Sequence, residues 1–478
     1  MPSALYRGLR FGLRKALILY FAEIRTAGGD LVPEKGPVIF AANHPGSIMD
    51  SLILGAQTKR SVSFLARSGL FDNPLVGKVL DSCGVIPLYR KTDGPTPEGG
   101  NLDAFRKAYE LLEEGGALGV FPEGRNAPER HVRDIKTGTA RIALGAEARQ
   151  SFKLGVQIVP VGLNFERRER SLSGVLVRFG APIDVREYQD AYKNDSREAV
   201  RSLTAAIQDG IRTAAVHLHQ ATHDELLRDI YSIYGGVLID ELAVGRFDTR
   251  STPGRLLDAA RGMDRERNNL EDVFTAKQHI ADAIEHFENT DPKLVSSVRV
   301  SVAKYQTRLA AAKLRLDFAD RRPETLSRRK EATKLLATGA LLSPLFVWGV
   351  LHNEVPRQLV KSLAAQPKDE AIRGATRLAA SLLAYPSFYT AYVALLWLYL
   401  TQDLVVLGTY LMTLPIAGWW AQRYRRMIHL SRKRFILREL FSTRRGLVQR
   451  LLQQRDQLRA MFEHLRRRYR KATGARLL

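Results

Sequence analysis

A histidine and an aspartate stand close together where an apolar segment of the sequence ends. In AANHPGSIMD, five residues separate His44 from Asp50. Side chains six positions apart do not share a helix face, so they can meet only if His44 lies in the turn before a helix and Asp50 reaches back from inside it. Pro45 and Ser47 suit the start of such a helix. The pair could form a general base with its orienting carboxylate, although a histidine beside a carboxylate is also common in purely structural settings.

Two motifs further along place charged side chains after strand-like runs. GVIPLYR ends on Arg90. FPEGRNAP reads as a strand and then a turn that exposes Glu123, Gly124 and Arg125. Each motif alone is weak, because a strand-end arginine or a PEG turn is usually a solvated loop.

Two more segments complete an ordered set. KTGTARIA leads from Lys136 into a helix, and VPVG closes a strand that contains Pro160. The histidine segment, the Arg90 motif, the PEG turn and VPVG occur in that order, and four motifs in one order are a far more specific signal than any one of them.

The elements that must position these residues alternate between strands and helices. Short apolar runs separated by Gly and Pro predict strands, with helical stretches between them, from Gly36 to about Asp184. The predicted strands are PVIFAA, SVSFLA, GVIPLY, ALGVFP, VQIVPVGL and VLVRFG. This alternation is typical of an α/β domain, which we place at residues 36–190.

The ordered motifs resemble those of the PlsC-like glycerolipid acyltransferase family. That family carries an NH-x4-D block, then GxIPxxR, FPEGxR/S and a VPV/IxG-type strand, and this chain matches all four within residues 36–184. The extra residue between His44 and Asp50 is similar to the Asn-His-Pro-x-Ser-x-x-Asp version of the glycerol-3-phosphate/dihydroxyacetone-phosphate acyltransferase branch. Asn126 departs from the serine that is commoner at its position, which puts a role for that position in doubt.

The resemblance implies an O-acyltransferase with a mixed sheet flanked by helices. His44 would be the general base, and Asp50 would orient its ring and stabilise its charged form. Because the acceptor hydroxyl attacks the thioester directly, no enzyme nucleophile is needed. Asn43, Ser47 and Pro160 would support the region in which the oxyanion develops.

The other motif residues would hold the substrate. Arg90, Arg125 and Lys136 would bind the acceptor phosphate, since a guanidinium fork makes paired hydrogen bonds to it. Glu123, beside Gly124, would position acceptor hydroxyls or Arg125, or would cap the turn through backbone N–H groups. No metal and no bound organic cofactor is expected; the acyl group would come from acyl-CoA or acyl carrier protein.

The charge of the chain points to an anionic partner. Its 478 residues include 73 Lys and Arg against 50 Asp and Glu, a formal net charge of +23. Nucleic acid, an acidic membrane surface and a phosphorylated substrate all fit this value. Cys83 is the single cysteine, which excludes an intrachain disulfide, a cysteine-based zinc site and an iron–sulfur cluster.

The segments outside the α/β domain are helical in pattern. Residues 1–35 mix Leu, Phe and Tyr with Arg and make a poor signal peptide, so we expect an amphipathic helix at a membrane interface or, alternatively, a helix that covers the core. Residues 191–332 form a charged helical appendage, with a possible interruption at Ser251–Gly254.

A hydrophobic region at residues 333–420 contains three apolar stretches. Ala379–Leu400 and Leu404–Trp420 approach the length of about 20 residues that crosses a bilayer, and they predict a membrane hairpin. Leu335–Leu351 is shorter and contains Ser343-Pro344, which favours a re-entrant or interfacial segment over a third span. The alternative is that all three are core helices of a soluble protein.

The tail at residues 421–478 is predicted to be helical and rich in arginine. Residues 422–478 hold 18 Lys and Arg against 3 acidic residues, about +15 of the net charge of +23. A basic segment next to a hairpin favours the cytoplasmic side and anionic lipids, so no nucleic-acid partner is expected. The alternative is a basic face of a helix that packs on the protein.

Together these features predict a membrane-associated enzyme whose catalytic domain and basic tail lie on the cytoplasmic side. With the resemblance, they predict transfer of a fatty acyl group from acyl-CoA to the sn-1 hydroxyl of glycerol 3-phosphate, giving lysophosphatidate for phospholipid biosynthesis. Lysophosphatidate, dihydroxyacetone phosphate or another lysophospholipid is the alternative acceptor. A non-catalytic lipid-binding scaffold is the alternative of a different class.

Overall fold

A computed structural model shows how the chain folds. It describes residues 4–72, 74–89, 100–126, 129–166, 173–243, 269–312, 314, 328–366, 370–443 and 445–474. The chain divides into two compact units, Met1–Asp224 with Pro367–Ala375, and Glu225–Gln366 with Thr376–Leu478.

The first unit is built on a mixed eight-stranded sheet. Its strands are β1 (Glu23–Ala27), β2 (Val38–Ala42), β3 (Val62–Arg67), β4 (Ile86–Leu88), β5 (Ala117–Val120), β6 (Gln157–Phe165), β7 (Gly174–Phe179) and β8 (Ile183–Asp184). The order is β1-β7-β6-β2-β5-β3-β4, with β8 also on β6. Strands β2 and β5 are buried throughout, which explains their continuous apolar sequence.

Strands β2, β5 and β6 are parallel neighbours at the centre of the sheet. Only β7 and β8 run antiparallel to β6. The carboxyl ends of β2 and β5 therefore lie side by side, and the loops that follow them meet at one edge. In open α/β sheets this edge is where ligands bind.

The structure confirms the six predicted strands and adds two. Strand β1, EIRTA, pairs among the described strands with β7 alone, at the sheet edge, and is partly exposed, so it lacks the apolar run of a central strand. Strand β8 is two residues long. The sheet thus begins before residue 36, where the sequence placed the start of the α/β domain.

Helices flank the sheet of the first unit. They are α1 (Ala4–Tyr20), α2 (Ile48–Gln57), α3 (Pro74–Ser82), α4 (Gly100–Glu113), α5 (Gly138–Arg149), α6 (Gln189–Asn194) and α7 (Ser196–Ala214). Helix α1 has a buried side and an exposed side. Leu17 is buried, whereas Phe11 and Ile18 are 66% and 59% exposed. Arg14 Nε donates to the Ala56 carbonyl at 2.7 Å, so α1 is held against the end of α2 while it presents apolar side chains outward.

Helix α7 belongs to the α/β unit, although the sequence assigned residues from 191 onward to the appendage. Leu203, Ile207 and Ile211 are fully buried in the core of this unit. A Cβ atom at Gly210 would lie 2.5 Å from Pro160 Cγ, so the helix touches β6 directly. An apolar stripe at helical spacing does not show which core the helix covers. The predicted end of the α/β domain, at residue 190, therefore lies too early in the sequence.

The second unit is helical wherever the structure describes it. Its helices are α8 (Asp224–Ala243, whose first residue closes the first unit), α9 (Leu270–Thr290), α10 (Pro292–Ala311), α11 (Arg328–Ala365), α12 (Glu370–Tyr399), α13 (Leu404–Thr443) and α14 (Arg445–Thr473). The helical prediction for the appendage is confirmed for these parts. The predicted interruption at Ser251–Gly254 lies outside the described residues.

Two helical segments in the described part of the chain are long and apolar enough to cross a membrane. They are Ala379–Tyr399 in α12 and Leu404–Gln422 in α13, with 6% and 28% of their residues buried in the protein. Asp403 accepts a hydrogen bond from Val405 N at 2.7 Å and caps α13. Leu335–Leu351 lies inside α11, a single 38-residue helix that continues through Pro344.

Helix α11 is a packing partner of both apolar helices. A Cβ atom at Gly349 would lie 2.1 Å from the Ala417 carbonyl oxygen, so α11 and α13 approach closely. Buried Asn353 donates to the Leu414 carbonyl at 3.3 Å and accepts from the Tyr389 hydroxyl at 2.6 Å. One amide thus joins α11 to α12 and to α13.

The basic tail is helical and packs on the appendage. Leu451, Leu458 and Phe462 of α14 are buried. Arg459 Nε donates to the Ile233 carbonyl of α8 at 2.9 Å. Helix α14 therefore packs an apolar face on the protein and leaves Arg467, Arg468 and Arg470 exposed, in line with the alternative interpretation of its sequence.

Candidate active site

The histidine and the aspartate of the first motif meet at the carboxyl edge of the sheet. His44 follows the end of β2, and Asp50 is the third residue of α2. His44 Nδ1 lies 2.8 Å from Asp50 Oδ2, and the two side chains are 15% and 0% exposed. Asp50 reaches back from inside the helix, as the spacing predicted. Because Nδ1 is bound to the carboxylate, Nε2 is the ring nitrogen available to a substrate.

The turn between the two residues is shaped to hold the carboxylate. Gly46 N donates to Asp50 Oδ2 at 2.7 Å. A Cβ atom at Gly46 would lie 2.6 Å from Asp50 Oδ1, so this position must be glycine. Ser47, next to it, has a φ of 57°, a conformation that usually costs a non-glycine residue about 1 kcal/mol or more.

Glu123 joins the His44 loop to the loop after β5. Its carboxylate is buried and accepts from His44 N at 2.9 Å and from Arg133 N at 3.2 Å. Burial raises the pKa of the Glu123 carboxyl, while the two backbone donors oppose that shift. These contacts match the backbone-capping alternative for Glu123. Its described partners position the backbone of His44.

The ring of His44 rests on an aromatic residue that the sequence analysis did not select. His44 and Phe121 stack with centroids 4.2 Å apart and planes inclined by 18°. Phe64 in turn stacks on Phe121, with the two ring centroids 6.1 Å apart. Phe121 stands directly before the PEG turn, so its place in FPEG was the available signal.

His217 holds the segment at residues 129–136, which donates a backbone hydrogen bond to Glu123. His217 Nδ1 accepts from Val132 N at 3.0 Å, and Leu218 N donates to the Arg130 carbonyl at 2.7 Å. Ile135 N donates to Gln208 Oε1 of α7 at 3.0 Å. Residues 129–136, here called the PEG-following loop, are therefore fixed to α7 and to the chain after it.

Gly124 makes room for Lys136. Gly124 has a φ of 72°, and a Cβ atom there would lie 2.8 Å from Lys136 Nζ. Lys136 N donates to the Pro122 carbonyl at 2.9 Å, which closes the loop back onto the PEG turn. Arg125 follows Gly124 and is exposed, as is the Lys136 side chain. The structure thus places two cations at the turn that contains Glu123.

Asn43 and Pro160 both contribute to the packing of strand β6. Asn43 Oδ1 accepts from Leu163 N at 2.7 Å, which extends the pairing of β2 with β6 up to His44. Pro160 lies within β6 in register with Ala41 and packs on α7. Arg90, the remaining predicted phosphate ligand, lies outside the described residues.

Comparisons with known proteins identify this part of the chain. Residues 23–164 match the family model described as Acyltransferase. Glycerol-3-phosphate O-acyltransferase 1 of Saccharomyces cerevisiae is 23% identical over 41% of this chain and 37% of its own length. Glycerol-3-phosphate O-acyltransferase 2 of the same yeast is 33% identical over 23% of this chain and 15% of its own length.

Matches to bacterial proteins cover a similar share of this chain. The 1-acyl-sn-glycerol-3-phosphate acyltransferase of Borreliella burgdorferi is 27% identical over 42% of this chain and 76% of its own length. The crystal structure of the 1-acyl-sn-glycerophosphate (LPA) acyltransferase PlsC of Thermotoga maritima covers 44% of this chain and 78% of its own, with 20% identity and a TM-score of 0.33.

The matching region defines a class of domain. The chain spans little more than a third of the first yeast relative and less of the second. Residues 23–164, which contain the His44–Asp50 pair and the PEG turn, form an acyltransferase domain. The predicted resemblance to acyltransferases is confirmed for these residues.

Proposed function

We propose that the chain transfers a fatty acyl group from a thioester to a hydroxyl of glycerol 3-phosphate. The observation that carries this proposal is the His44–Asp50 pair, held 2.8 Å apart at the carboxyl edge of an acyltransferase domain. Two yeast relatives are named for this reaction, which supports the choice of acceptor. The donor is acyl-CoA or acyl carrier protein, both of which present a thioester.

The proton transfer follows from the geometry of the pair. Asp50 accepts from His44 Nδ1–H and so keeps Nε2 unprotonated and ready to take the acceptor's hydroxyl proton. The hydroxyl oxygen attacks the thioester carbonyl, the C–S bond breaks as the ester C–O bond forms, and the imidazolium returns its proton to the leaving thiolate. Asp50 stabilises the imidazolium between these two steps.

The cations beside the PEG turn supply the phosphate site in this proposal. Arg125 and Lys136 are exposed and lie at the turn whose Glu123 binds the His44 backbone. A phosphate held there would be anchored near the general base, and charge-assisted hydrogen bonds favour arginine for this task. Arg90 would be a third ligand.

Acceptor specificity is the finer part of the proposal. Several relatives are named 1-acyl-sn-glycerol-3-phosphate acyltransferases, which makes lysophosphatidate the second candidate acceptor. We place the enzyme in phospholipid biosynthesis on either acceptor. We also propose that α12 and α13 anchor it in the membrane, with the domain and the basic tail on the cytoplasmic side against anionic lipids.

An acceptor panel tests the proposal. We would incubate the purified chain with labelled acyl-CoA or acyl carrier protein and with glycerol 3-phosphate, dihydroxyacetone phosphate, lysophosphatidate or glycerol. His44→Ala should lower turnover by at least about a hundredfold, because a general base contributes roughly that much or more. His219→Ala, at an exposed histidine of the same unit, should keep turnover unchanged.

Two results would change the proposal. Full turnover in His44→Ala would exclude the mechanism. Turnover with lysophosphatidate alone would move the acceptor to the second candidate.

A further inference from the structure

An apolar cavity of about 100 Å³ lies in the second unit among four helices. The cavity is lined by residues of α8, α9, α10 and α14. We call it the appendage cavity. Its apolar wall includes Leu226, Ile230, Ile280, Ile284, Val298 and Phe462.

The wall of the cavity suits hydrocarbon. A natural apolar cavity holds no ordered water, because water there lacks hydrogen-bond partners, whereas an apolar ligand gains by leaving water. An engineered apolar cavity of about 150 Å³ binds benzene, so this smaller one has room for the last few carbons of one chain. Ala283 stands in the wall between bulkier side chains and leaves part of this space open.

The cations at the cavity come from the last turns of α14. Arg466 is paired with Glu241 and with Glu463, so its charge is already compensated. Arg470 also lines the cavity, and within the described part of the chain it forms no ion pair. An anionic group would complement this charge.

We propose that the appendage cavity binds the hydrocarbon end of a single-chain anionic lipid, a fatty acid or a lysophospholipid, with the head group at Arg470. The volume admits the end of one chain, and Arg470, which forms no ion pair within the described part of the chain, favours a negative head group. None of the lining residues belongs to the His44 site, so this binding goes beyond acyl transfer and does not depend on it. It also gives the helical appendage a function.

Photo-crosslinking of the full chain in detergent tests the proposal. The probe is a sixteen-carbon fatty acid with a diazirine at its chain end. We expect labelled peptides from α8, α9, α10 or α14. Ala283→Phe fills the cavity and should lower this labelling at least about fivefold, as expected when an apolar pocket is lost. Ala303→Phe, at an exposed alanine of α10, is the matched control and should leave it unchanged.

Arg470→Gln is a second variant that leaves the helix core intact. It should lower labelling by the carboxylate probe about three- to fivefold, the range of a partly exposed charge contact. Labelling by the corresponding fatty alcohol should not change. Lys471→Gln removes the same charge from the neighbouring residue, which does not line the cavity, and should leave both unaltered. The lysophosphatidate form of the probe distinguishes phosphate from carboxylate head groups.

Labels confined to other helices, or equal labelling of the wild type and Ala283→Phe, would overturn the proposal. If Ala303→Phe also lost labelling, the loss seen in Ala283→Phe would be explained by misfolding and would count against the cavity. His44→Ala should keep full labelling, so failure of the proposed catalysis and failure of this binding give separate results.

Discussion

The contact between His44 and Asp50 depends on a residue without a side chain. Gly46 N donates to the same carboxylate oxygen that binds the imidazole. The space that a Cβ atom at Gly46 would need is occupied by the other oxygen, 2.6 Å away. The carboxylate is fully buried and cannot swing into solvent to avoid it.

We therefore expect Gly46→Ala to lower the turnover number at least about tenfold, because it displaces the group that orients the general base. Acyl transfer measured with saturating acceptor would show this. Gly138→Ala is the matched control, since nothing lies within 4 Å of a Cβ atom there. Equal activity of Gly46→Ala and Gly138→Ala would show that the His44–Asp50 contact is not needed at its observed distance.

At this scale the sequence predicted that His44 and Asp50 meet, but not which residues support them. His44 and Asp50 belong to one short motif whose spacing limits how they can meet. The contact of His44 N with Glu123 spans 79 positions, and the contact of Val132 with His217 spans 85. No periodic pattern encodes such contacts, because only the folded sheet brings the two loops together. His217 was missed for this reason, whereas the FPEG motif already contained Phe121.

The PEG-following loop shows how one element fixes another. His217 accepts from its backbone at Val132, the next residue donates to Glu123, and Glu123 binds the His44 backbone. Burial, together with the nearby charges of Arg212, His219 and His131, lowers the pKa of His217 to about 3. The imidazole thus stays neutral and keeps accepting from Val132 N.

This burial should make the fold sensitive to acid. Below the ordinary histidine pKa of 6.5 the unfolded chain binds a proton at His217, whereas the folded chain does not until about pH 3. Since the unfolded state binds more protons in that window, stability falls as pH falls, by about 1 kcal/mol per pH unit from this residue. His217→Gln keeps an acceptor for Val132 N and removes the titration.

Thermal melting of the chain in detergent at pH 7.5 and pH 5 would measure the effect. The variant should lose less of its melting temperature over this interval than the wild type does. His464→Gln, at an exposed histidine of α14 away from this cluster, should keep the slope of the wild type. A His217→Gln slope equal to that of the wild type would contradict a buried neutral His217.

Elements were predicted well where burial makes their sequence uniform. Strands β2 and β5 are apolar throughout and β6 is buried over all but its first residue, because both faces of the sheet are covered, and all three were found. Edge strand β1 has a partly polar sequence and was missed. Helix α7 was predicted as a helix, but its apolar stripe does not identify β6 as the strand on which it packs.

Over the whole molecule, the net charge divides unequally. Of the +23, about +15 belongs to residues 422–478, whose apolar side chains in α14 are buried. Within the described part of α14, Arg467, Arg468 and Arg470 are exposed, which suits contact with anionic head groups. The phosphate site in the proposed mechanism uses only a few of the remaining cations.

The two apolar helices and this charge together predict a topology. An even number of spans returns the chain to the side from which it started, whereas a third span through α11 would separate the acyltransferase domain from the tail. Basic segments flank Ala379–Tyr399 and Leu404–Gln422 on the outer sides of the pair, and basic flanks favour the cytoplasm. We therefore expect a hairpin whose connecting turn alone crosses to the other side.

Single-cysteine labelling in sealed membrane vesicles tests this topology. In a Cys83→Ser background, Lys59→Cys marks the domain, Gln402→Cys the turn and His464→Cys the tail, and all three positions are exposed. A membrane-impermeant maleimide should reach Lys59→Cys and His464→Cys from one side and Gln402→Cys only from the other. A hairpin begins and ends on the same side of the membrane. If the maleimide reached Lys59→Cys and His464→Cys from opposite sides, α11 would have to span the bilayer as well.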